Sequence, residues 1–404
     1  MKIHTLLERE DFKSIFESTL ESFLHSWTGN SYKVLWDPDD TNQCLSYQLW
    51  FCNPLINSIF VRNVNSDVFD SINGEYSYNP MNPFKSIFQK IYLILAQSKL
   101  TATIFSSSKI FISPPLDDAE YKLIIGGNTK IRIIDNQSKK VFVLLKEGFK
   151  SEFITKERYI RDSFPYIPIP KIIDLGEEKK WFSEEYISGK PPNRFNKKIR
   201  NNTLIKAIAL INKVLNETKK DISLIEYKNQ LMDRINSGIS QLTYINSKTI
   251  SDIQETTEKI SRFFDNSKLQ DLTIAYCHGD FHQGNILSNG QDFWILDWEY
   301  SGEKQIVYDL LIFLLDTRIE EGFANRFIRI SENKLDSFQR EIVGKWPGID
   351  WNNEQFRESY LKLFLLEDLL FYIEENINNK FYKNTATLRK RMKEYKKIYS
   401  ALEG

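Results

Sequence analysis

The chain has 404 residues, of which 41% are hydrophobic and 27% are charged, and its formal net charge is zero. This composition is typical of a folded, water-soluble protein of two or three domains and excludes a disordered or membrane-embedded chain. A balanced charge disfavours non-specific nucleic-acid binding, so we expect no nucleic-acid partner.

No segment has the pattern of a secretion signal or a membrane span. The first residues, MKIHTLLEREDF, lack an apolar stretch followed by a cleavage site. No apolar run reaches the roughly 18 residues that a membrane helix needs. Cys44, Cys52 and Cys277 are too few and too scattered for a disulfide framework or a zinc site. We therefore expect a cytoplasmic protein with reduced thiols and no membrane partner.

Residues 1–115 predict an accessory α+β region of unknown role. Residues 10–27 and 84–100 carry apolar side chains at helical spacing, and SYQLWFC and SIFVRNV have the composition of strands. No catalytic constellation is found there. Three roles fit the region equally: a homodimer contact, a lid over a substrate pocket, or a surface for a partner.

Residues 116–190 predict a small antiparallel sheet with one helix. YKLIIGGNTKIRIID gives two strands joined by a Gly-Gly-Asn turn, and KKVFVLLK gives a third strand that ends at Lys146. SEFITKERYIRDSF predicts a helix, and WFSEEYISGKPPN predicts a strand followed by a linker. Residues 191–404 are mainly helical in pattern, with two short strands in the middle.

The stretch HGDFHQGNILSNGQDFWILDWE, residues 278–299, carries the chemistry. Asp280 lies in a loop beside glycine, Asn285 follows five residues later, and Asp297 ends an apolar strand. Phosphoryl transfer needs a group that orients the acceptor hydroxyl, oxygen ligands for Mg²⁺, and a cation on the phosphates. A carboxylate, an amide and a second carboxylate meet the first two needs. The stretch therefore predicts a Mg-nucleotide site.

HGDFHQGNIL and ILDWE resemble the catalytic loop and metal-binding motif of the aminoglycoside phosphotransferase / choline kinase family. The family pattern is HGDxxxxN, an apolar stretch and a strand ending in Asp, and this sequence keeps all of it. The similarity covers residues 116–404. It implies an α+β, two-lobed protein-kinase-like fold with a small antiparallel-sheet lobe (116–190) and a larger helical, acceptor-binding lobe (191–404), beside the extra N-terminal region.

The resemblance implies a role for each residue of the motif. Asp280 would be the catalytic base or the group that orients the acceptor hydroxyl, while Asn285 and Asp297 would hold Mg²⁺. His278 would be structural, and Asp309 would brace the loop from the start of a helix. His278 and His282 also have the HxxxH spacing of a helical zinc site, but the adjacent glycines favour a loop.

The resemblance also implies where the nucleotide binds. Lys146 would anchor the phosphates and Glu157 would pair with it, although Glu152 lies on the same predicted helix. The other nucleotide contacts would be the phosphate-covering turn Gly126, Gly127 and Asn128 and, at the purine edge, the hinge residues Glu185, Tyr186 and Ile187. A solvated lysine at a strand end and a plain hairpin turn are the structural alternatives.

These assignments predict a phosphotransferase with an alcohol group as acceptor, Mg²⁺ as cofactor and ATP or GTP as donor. The acceptor would be a small hydroxylated molecule: an aminoglycoside, an amino alcohol or a sugar. Acidic and aromatic side chains for it are found in residues 363–376, where amphipathic packing is the alternative. Two other functions stay open: modification of a protein acceptor by phosphorylation or nucleotidylation, and a nucleotide-binding scaffold without turnover.

Overall fold

The computed structural model describes residues 2–39, 46–70, 72, 83–176, 178–242, 244–265, 267, 269–319, 321–377 and 386–402. Cys44 lies outside these residues. The chain divides into two compact units. Unit 1 comprises residues 1–161, 168–190 and 287–294, and unit 2 comprises residues 162–167, 191–286 and 295–404.

Unit 1 is built on an antiparallel sheet. Its strands are β1 (Lys33–Trp36), β2 (Gln48–Asn53), β3 (Ser58–Val61), β4 (Ser108–Ser113), β5 (Lys122–Gly126), β6 (Lys130–Asp135), β7 (Lys140–Leu145), β8 (Ile172–Leu175) and β9 (Trp181–Glu185). They form one nine-stranded sheet in the order β1-β4-β2-β3-β5-β6-β7-β9-β8. The strands from β5 to β9 match the predicted small sheet.

The helices that lie wholly or mainly in unit 1 are α1 (Ile3–Arg9), α2 (Phe12–Thr28), α3 (Pro83–Gln97), α4 (Ala102–Phe105) and α5 (Glu152–Ser163). Helix α2 buries Phe16 and Phe23 seven residues apart, which places both on the same face. The Phe16 ring meets Trp36 edge-on at 5.1 Å, and the Phe23 ring meets Trp181 edge-on at 5.3 Å. Edge-to-face aromatic pairs of this kind stabilise a core beyond their buried area.

The sheet crosses residue 115, where the sequence predicted that the N-terminal region ends. Strand β3 pairs with β5, with Ile59 opposite Ile124. All four residues of β3 are buried, so its apolar side chains are covered on both faces. Strands β1 to β4 thus extend the sheet formed by β5 to β9, and both sets lie in one compact unit. The local sequence predicts strands but does not encode which strands pair, and the boundary was drawn without that information.

Unit 2 is mainly helical. Its helices are α6 (Lys197–Thr218), α7 (Leu224–Gln241), α8 (Ser247–Asp265), α9 (Tyr308–Leu315), α10 (Phe323–Ser331), α11 (Ser337–Lys345), α12 (Glu354–Ile377) and α13 (Ala386–Leu402). Strands β10 (Lys220–Ser223), β11 (Asp271–Cys277) and β14 (Gly302–Gln305) form an antiparallel sheet in the order β10-β11-β14. Strands β12 (Ile286–Ser288) and β13 (Phe293–Ile295) form a separate two-stranded sheet.

The two units confirm the predicted α+β fold, with an antiparallel-sheet part and a mainly helical part. Helices α6, α8, α9, α12 and α13 fall where the apolar spacing predicts them. None of the helices in the described ranges is long and apolar enough to cross a membrane.

Candidate active site

The HGD loop begins where β11 ends, and its shape depends on glycine. Gly279 has φ +82°, a left-handed conformation that glycine adopts without strain. A Cβ atom at this position would collide with the backbone carbonyl of Tyr300. The loop therefore passes against the segment after Asp297 so closely that only glycine fits.

Asp309, in the first turn of α9, holds the loop from behind. Its carboxylate accepts the backbone N–H of His278 at 2.6 Å and that of Gly279 at 2.9 Å. The side chain is fully buried. Burial raises the pKa of Asp309 to about 7, although the two N–H donors lower it. These contacts are the bracing role that the family resemblance implies.

Both ring nitrogens of His278 form hydrogen bonds with the backbone. Nδ1 accepts the N–H of Asp280 at 3.2 Å, which assigns the proton to Nε2, and Nε2 donates to the carbonyl of Leu296 at 2.9 Å. The ring is buried and lies 4.4 Å from the Trp298 ring. This environment fits a structural histidine. Within the described ranges no group of three or more His, Cys, Asp or Glu residues is arranged to hold a metal ion, so the HxxxH spacing gains no third ligand.

The structure brings Asp280 and Asn285 together. The Asn285 amide nitrogen donates to the Asp280 carbonyl at 3.0 Å and to Oδ2 of the Asp280 carboxylate at 3.1 Å. Both side chains are buried. Because the nitrogen of the amide faces Asp280, its oxygen Oδ1 is the atom that remains to meet a cation.

A backbone hydrogen bond brings the segment of Asp297 next to Asn285. The N–H of Leu296 donates to the carbonyl of Asn285 at 2.8 Å, so the next residue, Asp297, follows directly on that contact. Asp297 has φ +60°, a left-handed conformation that is uncommon for any residue but glycine and is concentrated at functional sites. An amide oxygen and a carboxylate are the hard oxygen donors that Mg²⁺ takes, so these residues fit the predicted ion.

Arg318 contacts the same carboxylate, and the sequence analysis missed it. Its Nε donates to Oδ1 of Asp280 at 2.7 Å, and a second guanidinium nitrogen contacts Oδ2. Burial raises the pKa of Asp280, but Arg318 and His282 lower it more strongly, and the result is a pKa of about 2. Asp280 is therefore a carboxylate at neutral pH. Arg318 follows α9 without any motif spacing, so the sequence carries no signal for it.

Three of the acidic candidates for acceptor binding in α12 have partners inside unit 2. Glu367 is buried and accepts from Gln305 Nε2 at 2.6 Å. Asp368 is buried and accepts two hydrogen bonds from the Arg391 guanidinium, both at 2.7 Å. Glu374 forms an exposed ion pair with an arginine of α7 at 2.6 Å. The contacts of Glu367 and Asp368 are those of helix packing.

Two further α12 candidates, Phe371 and Glu375, lie near the Asp280–Arg318 pair. The Phe371 ring centroid is 5.4 Å from Cζ of Arg318 and 4.9 Å from the Tyr300 ring. The Tyr300 hydroxyl donates to Glu375. Phe371, Tyr300 and Glu375 thus form an aromatic and acidic cluster next to the candidate catalytic carboxylate.

In unit 1, Lys146 contacts the predicted phosphate-covering turn and a carboxylate that no sequence motif marks. Its Nζ donates to the Asn128 carbonyl at 2.8 Å and contacts the carboxylate of Glu10, the residue that follows α1. Glu157, the predicted partner, forms an ion pair with Lys130 at 2.9 Å. Lys146 is 1% exposed, which excludes a solvated lysine. The sequence pointed to a partner on the nearest helix and gave no signal for the contact with Glu10.

The hinge residues also lie in unit 1. The N–H of Glu185 donates to the Lys171 carbonyl at 3.0 Å, and that of Tyr186 donates to the Lys139 carbonyl at 2.9 Å. Both N–H groups are thus used within unit 1, so neither is a donor for a purine. The nucleotide-binding candidates therefore lie in unit 1, and Asp280, Asn285 and Asp297 lie in unit 2.

Comparison with known proteins agrees with the predicted resemblance. Residues 180–343 match the family model described as choline/ethanolamine kinase. That range contains Asp280, Asn285 and Asp297. The match confirms the predicted resemblance and the predicted class of enzyme, a phosphotransferase with an alcohol group as acceptor. No curated protein sequence matches the chain.

Several solved structures are similar to the chain at low sequence identity. A choline/ethanolamine kinase family protein from Mesorhizobium loti is 13% identical, covers 79% of this chain and 95% of its own, and has a TM-score of 0.42. An ethanolamine kinase from Plasmodium vivax is 12% identical over 82% and 93%, with a TM-score of 0.44. The aminoglycoside phosphotransferase APH(4)-Ia with ADP and hygromycin B is 10% identical over 70% and 93%, with a TM-score of 0.46. The agreement with the predicted family depends on the family model.

Proposed function

We propose that the protein is a Mg²⁺-dependent kinase that transfers the γ-phosphoryl group of ATP or GTP to a hydroxyl group of an aminoglycoside, an amino alcohol or a sugar. The observation that carries the proposal is the buried, ionised Asp280 carboxylate beside the Asn285 amide. Asp309 and His278 fix the loop that presents it. A scaffold that only bound nucleotide would have no use for this carboxylate.

Catalysis would be mainly positional and electrostatic. Asp280 accepts the hydrogen bond of the acceptor hydroxyl and aims its oxygen in line with the γ-phosphorus. With a pKa of about 2 it is a weak base, so it orients the hydroxyl and receives the proton late in the transfer. Asn285 Oδ1 and the Asp297 carboxylate would hold Mg²⁺, which neutralises phosphate charge when bound. Lys146 would bind the phosphates as a second cation.

The cluster of Phe371, Tyr300 and Glu375 supports an acceptor that carries an amino group. Aromatic faces and a carboxylate attract an organic cation. The ring of Phe371 already holds a cation of the protein itself, since Arg318 lies over it. We therefore place amino alcohols and aminoglycosides ahead of sugars.

Nucleotide turnover with a panel of acceptors tests the proposal. Wild type would be given Mg-ATP or Mg-GTP with choline, ethanolamine, hygromycin B, other aminoglycosides and simple sugars. We expect acceptor-stimulated release of ADP or GDP that requires Mg²⁺. Asp297→Asn should lose it, whereas Asp292→Asn, an exposed aspartate in the turn between β12 and β13, should keep it.

The same experiment separates the alternatives. Transfer of label from the γ-phosphate marks a kinase, and transfer from the α-phosphate marks a nucleotidyltransferase. Label on protein in place of small molecules would favour a protein acceptor. Absence of binding of either nucleotide would contradict the proposal.

A further inference from the structure

Two charged residues are buried where the first helix ends: Arg9, its last residue, and Glu10, which follows it. Arg9 is 7% exposed and Glu10 is 0% exposed. Charged side chains are rarely buried to this extent unless they are paired. Neither residue is part of the motifs that the sequence analysis assigned, and both belong to the N-terminal region whose role was unknown.

Glu10 holds the candidate phosphate-anchoring lysine. One oxygen of its carboxylate contacts Nζ of Lys146, and neither side chain has any solvent exposure. The rings of Phe12 and Phe149 lie 5.5 Å and 5.1 Å from the same Nζ. These rings exclude water from the pair, and a charge pair interacts more strongly in such an environment.

Arg9 ties this pair to the phosphate-covering turn. Its guanidinium donates to the other oxygen of Glu10 at 2.6 Å and to the side-chain oxygen of Asn128. Lys146 donates to the backbone carbonyl of the same asparagine at 2.8 Å. The end of α1 therefore contacts both features to which the nucleotide phosphates were assigned, the turn and the lysine.

We infer that Glu10 is the positioning residue of Lys146 and that the N-terminal helix is part of the nucleotide site. The inference rests on the proposed function. Glu157, to which the family resemblance gives this role, forms ion pairs with Lys130 at 2.9 Å and with Arg161 at 2.8 Å. The contact of Lys146 with Glu10 adds a carboxylate from the end of α1, outside the family motif.

The contact with Glu10 holds the Lys146 ammonium in one place before any nucleotide binds. Nucleotide phosphates would thus meet a lysine whose position is already fixed, and binding would not have to order its long side chain.

Nucleotide binding by a set of variants tests the inference. Wild type, Glu10→Gln, Glu10→Asp and Leu6→Ala would be titrated calorimetrically with Mg-ATP and Mg-GTP, and melting temperatures would be recorded. Leu6 is the matched control because it is fully buried in the same helix. Its loss loosens α1 without removing a charge from Lys146.

We expect Glu10→Gln to weaken binding of the preferred nucleotide about tenfold or more, since a charge-assisted contact that fixes the lysine is lost. Glu10→Asp should recover part of the affinity. Leu6→Ala should melt at a temperature as low as Glu10→Gln does or lower, yet lose clearly less affinity than Glu10→Gln loses. In turnover, Glu10→Gln should raise the KM for nucleotide and leave the KM for acceptor unchanged.

Three results would overturn the inference. If Glu10→Gln binds nucleotide as wild type does, or loses affinity only as far as Leu6→Ala does, the pair is structural. If Glu10→Gln binds more tightly, Glu10 occupies the place of a phosphate and acts as an inhibitor. If wild type binds neither nucleotide, the proposed function and this inference fail together, whereas the first two results leave the proposed function standing.

Discussion

At the scale of single residues, the candidate chemistry depends on the orientation of one carboxylate. Asp280 accepts from Asn285 on one side and from Arg318 on the other, and two donors on different oxygens fix the plane of the carboxylate. A bidentate arginine is well suited to this because its guanidinium is rigid and planar. Arg318 thus supports the orientation on which transfer to a hydroxyl would depend.

Substitution of Arg318 by Gln tests that support. We expect kcat to fall about tenfold or more, because a freed carboxylate no longer aims the hydroxyl. The affinity for nucleotide should be unchanged. Arg329→Gln, an exposed arginine on α10, is the control and should keep wild-type kcat. Equal kcat values for the two variants would contradict the role given to Arg318.

Alanine substitution of Gly279 tests the account of the HGD loop, and the same substitution of Gly302 is its control. Gly279→Ala would force a side chain into a left-handed conformation and against the carbonyl of Tyr300. We expect the variant to lose at least about 1–2 kcal/mol of unfolding free energy and its turnover. Gly302→Ala should be nearly neutral, since a Cβ there meets nothing within 4 Å. Denaturant unfolding measures both, and similar losses for the two would contradict this account of the loop.

At the scale of elements, α5 and β9 are joined by one arginine between two carboxylates. Arg161 donates to Glu157 at 2.8 Å and to Glu184 at 2.7 Å. Burial raises the pKa of Glu184 from 4.5 to about 7, and Arg161 opposes this only in part. Desolvation of the Glu184 carboxylate thus outweighs the nearby cations Arg161, Arg132 and Lys130.

The raised pKa predicts how Glu184 affects stability with pH. Because the folded-state pKa of about 7 exceeds the ordinary 4.5, the favourable contribution is complete below about pH 4.5 and is lost as the pH rises through 7. The stability of wild type relative to Glu184→Gln should therefore fall between pH 5 and pH 7.5. Melting temperatures of both proteins at the two pH values check this. A pH-independent difference would show that Glu184 keeps its ordinary pKa.

Elements whose apolar residues recur at a regular spacing could be predicted from the sequence. Short strands that depend on a distant partner strand could not. Helix α2 follows from apolar residues at helical spacing, and β5 to β7 follow from two turns between apolar runs. Strands β1 and β4 have weak patterns of their own. They exist because they pair with each other, with Val34 opposite Ile112. Such pairing is stabilised by contacts far apart in sequence, which no local pattern encodes.

At the scale of the whole molecule, the local contacts of the candidate site could be predicted from the sequence and the long-range contacts could not. Asp280, Asn285 and Asp297 lie within one short stretch, and the motif was sufficient to predict that the first two meet. The partner of Lys146 lies 136 residues away, in Glu10, and Arg318 lies 38 residues from the carboxylate that it contacts. Neither contact leaves a spacing signal, because each is made by folding and not by a local turn.

The most direct test of the central claim is the turnover of Asp280→Asn with the acceptor that wild type prefers. The substitution keeps the size of the side chain and removes the charge that orients the hydroxyl. We predict that turnover falls by about 10²–10⁴-fold while nucleotide affinity stays near that of wild type. Turnover within about twofold of wild type, in a variant that melts as wild type does, would contradict the account.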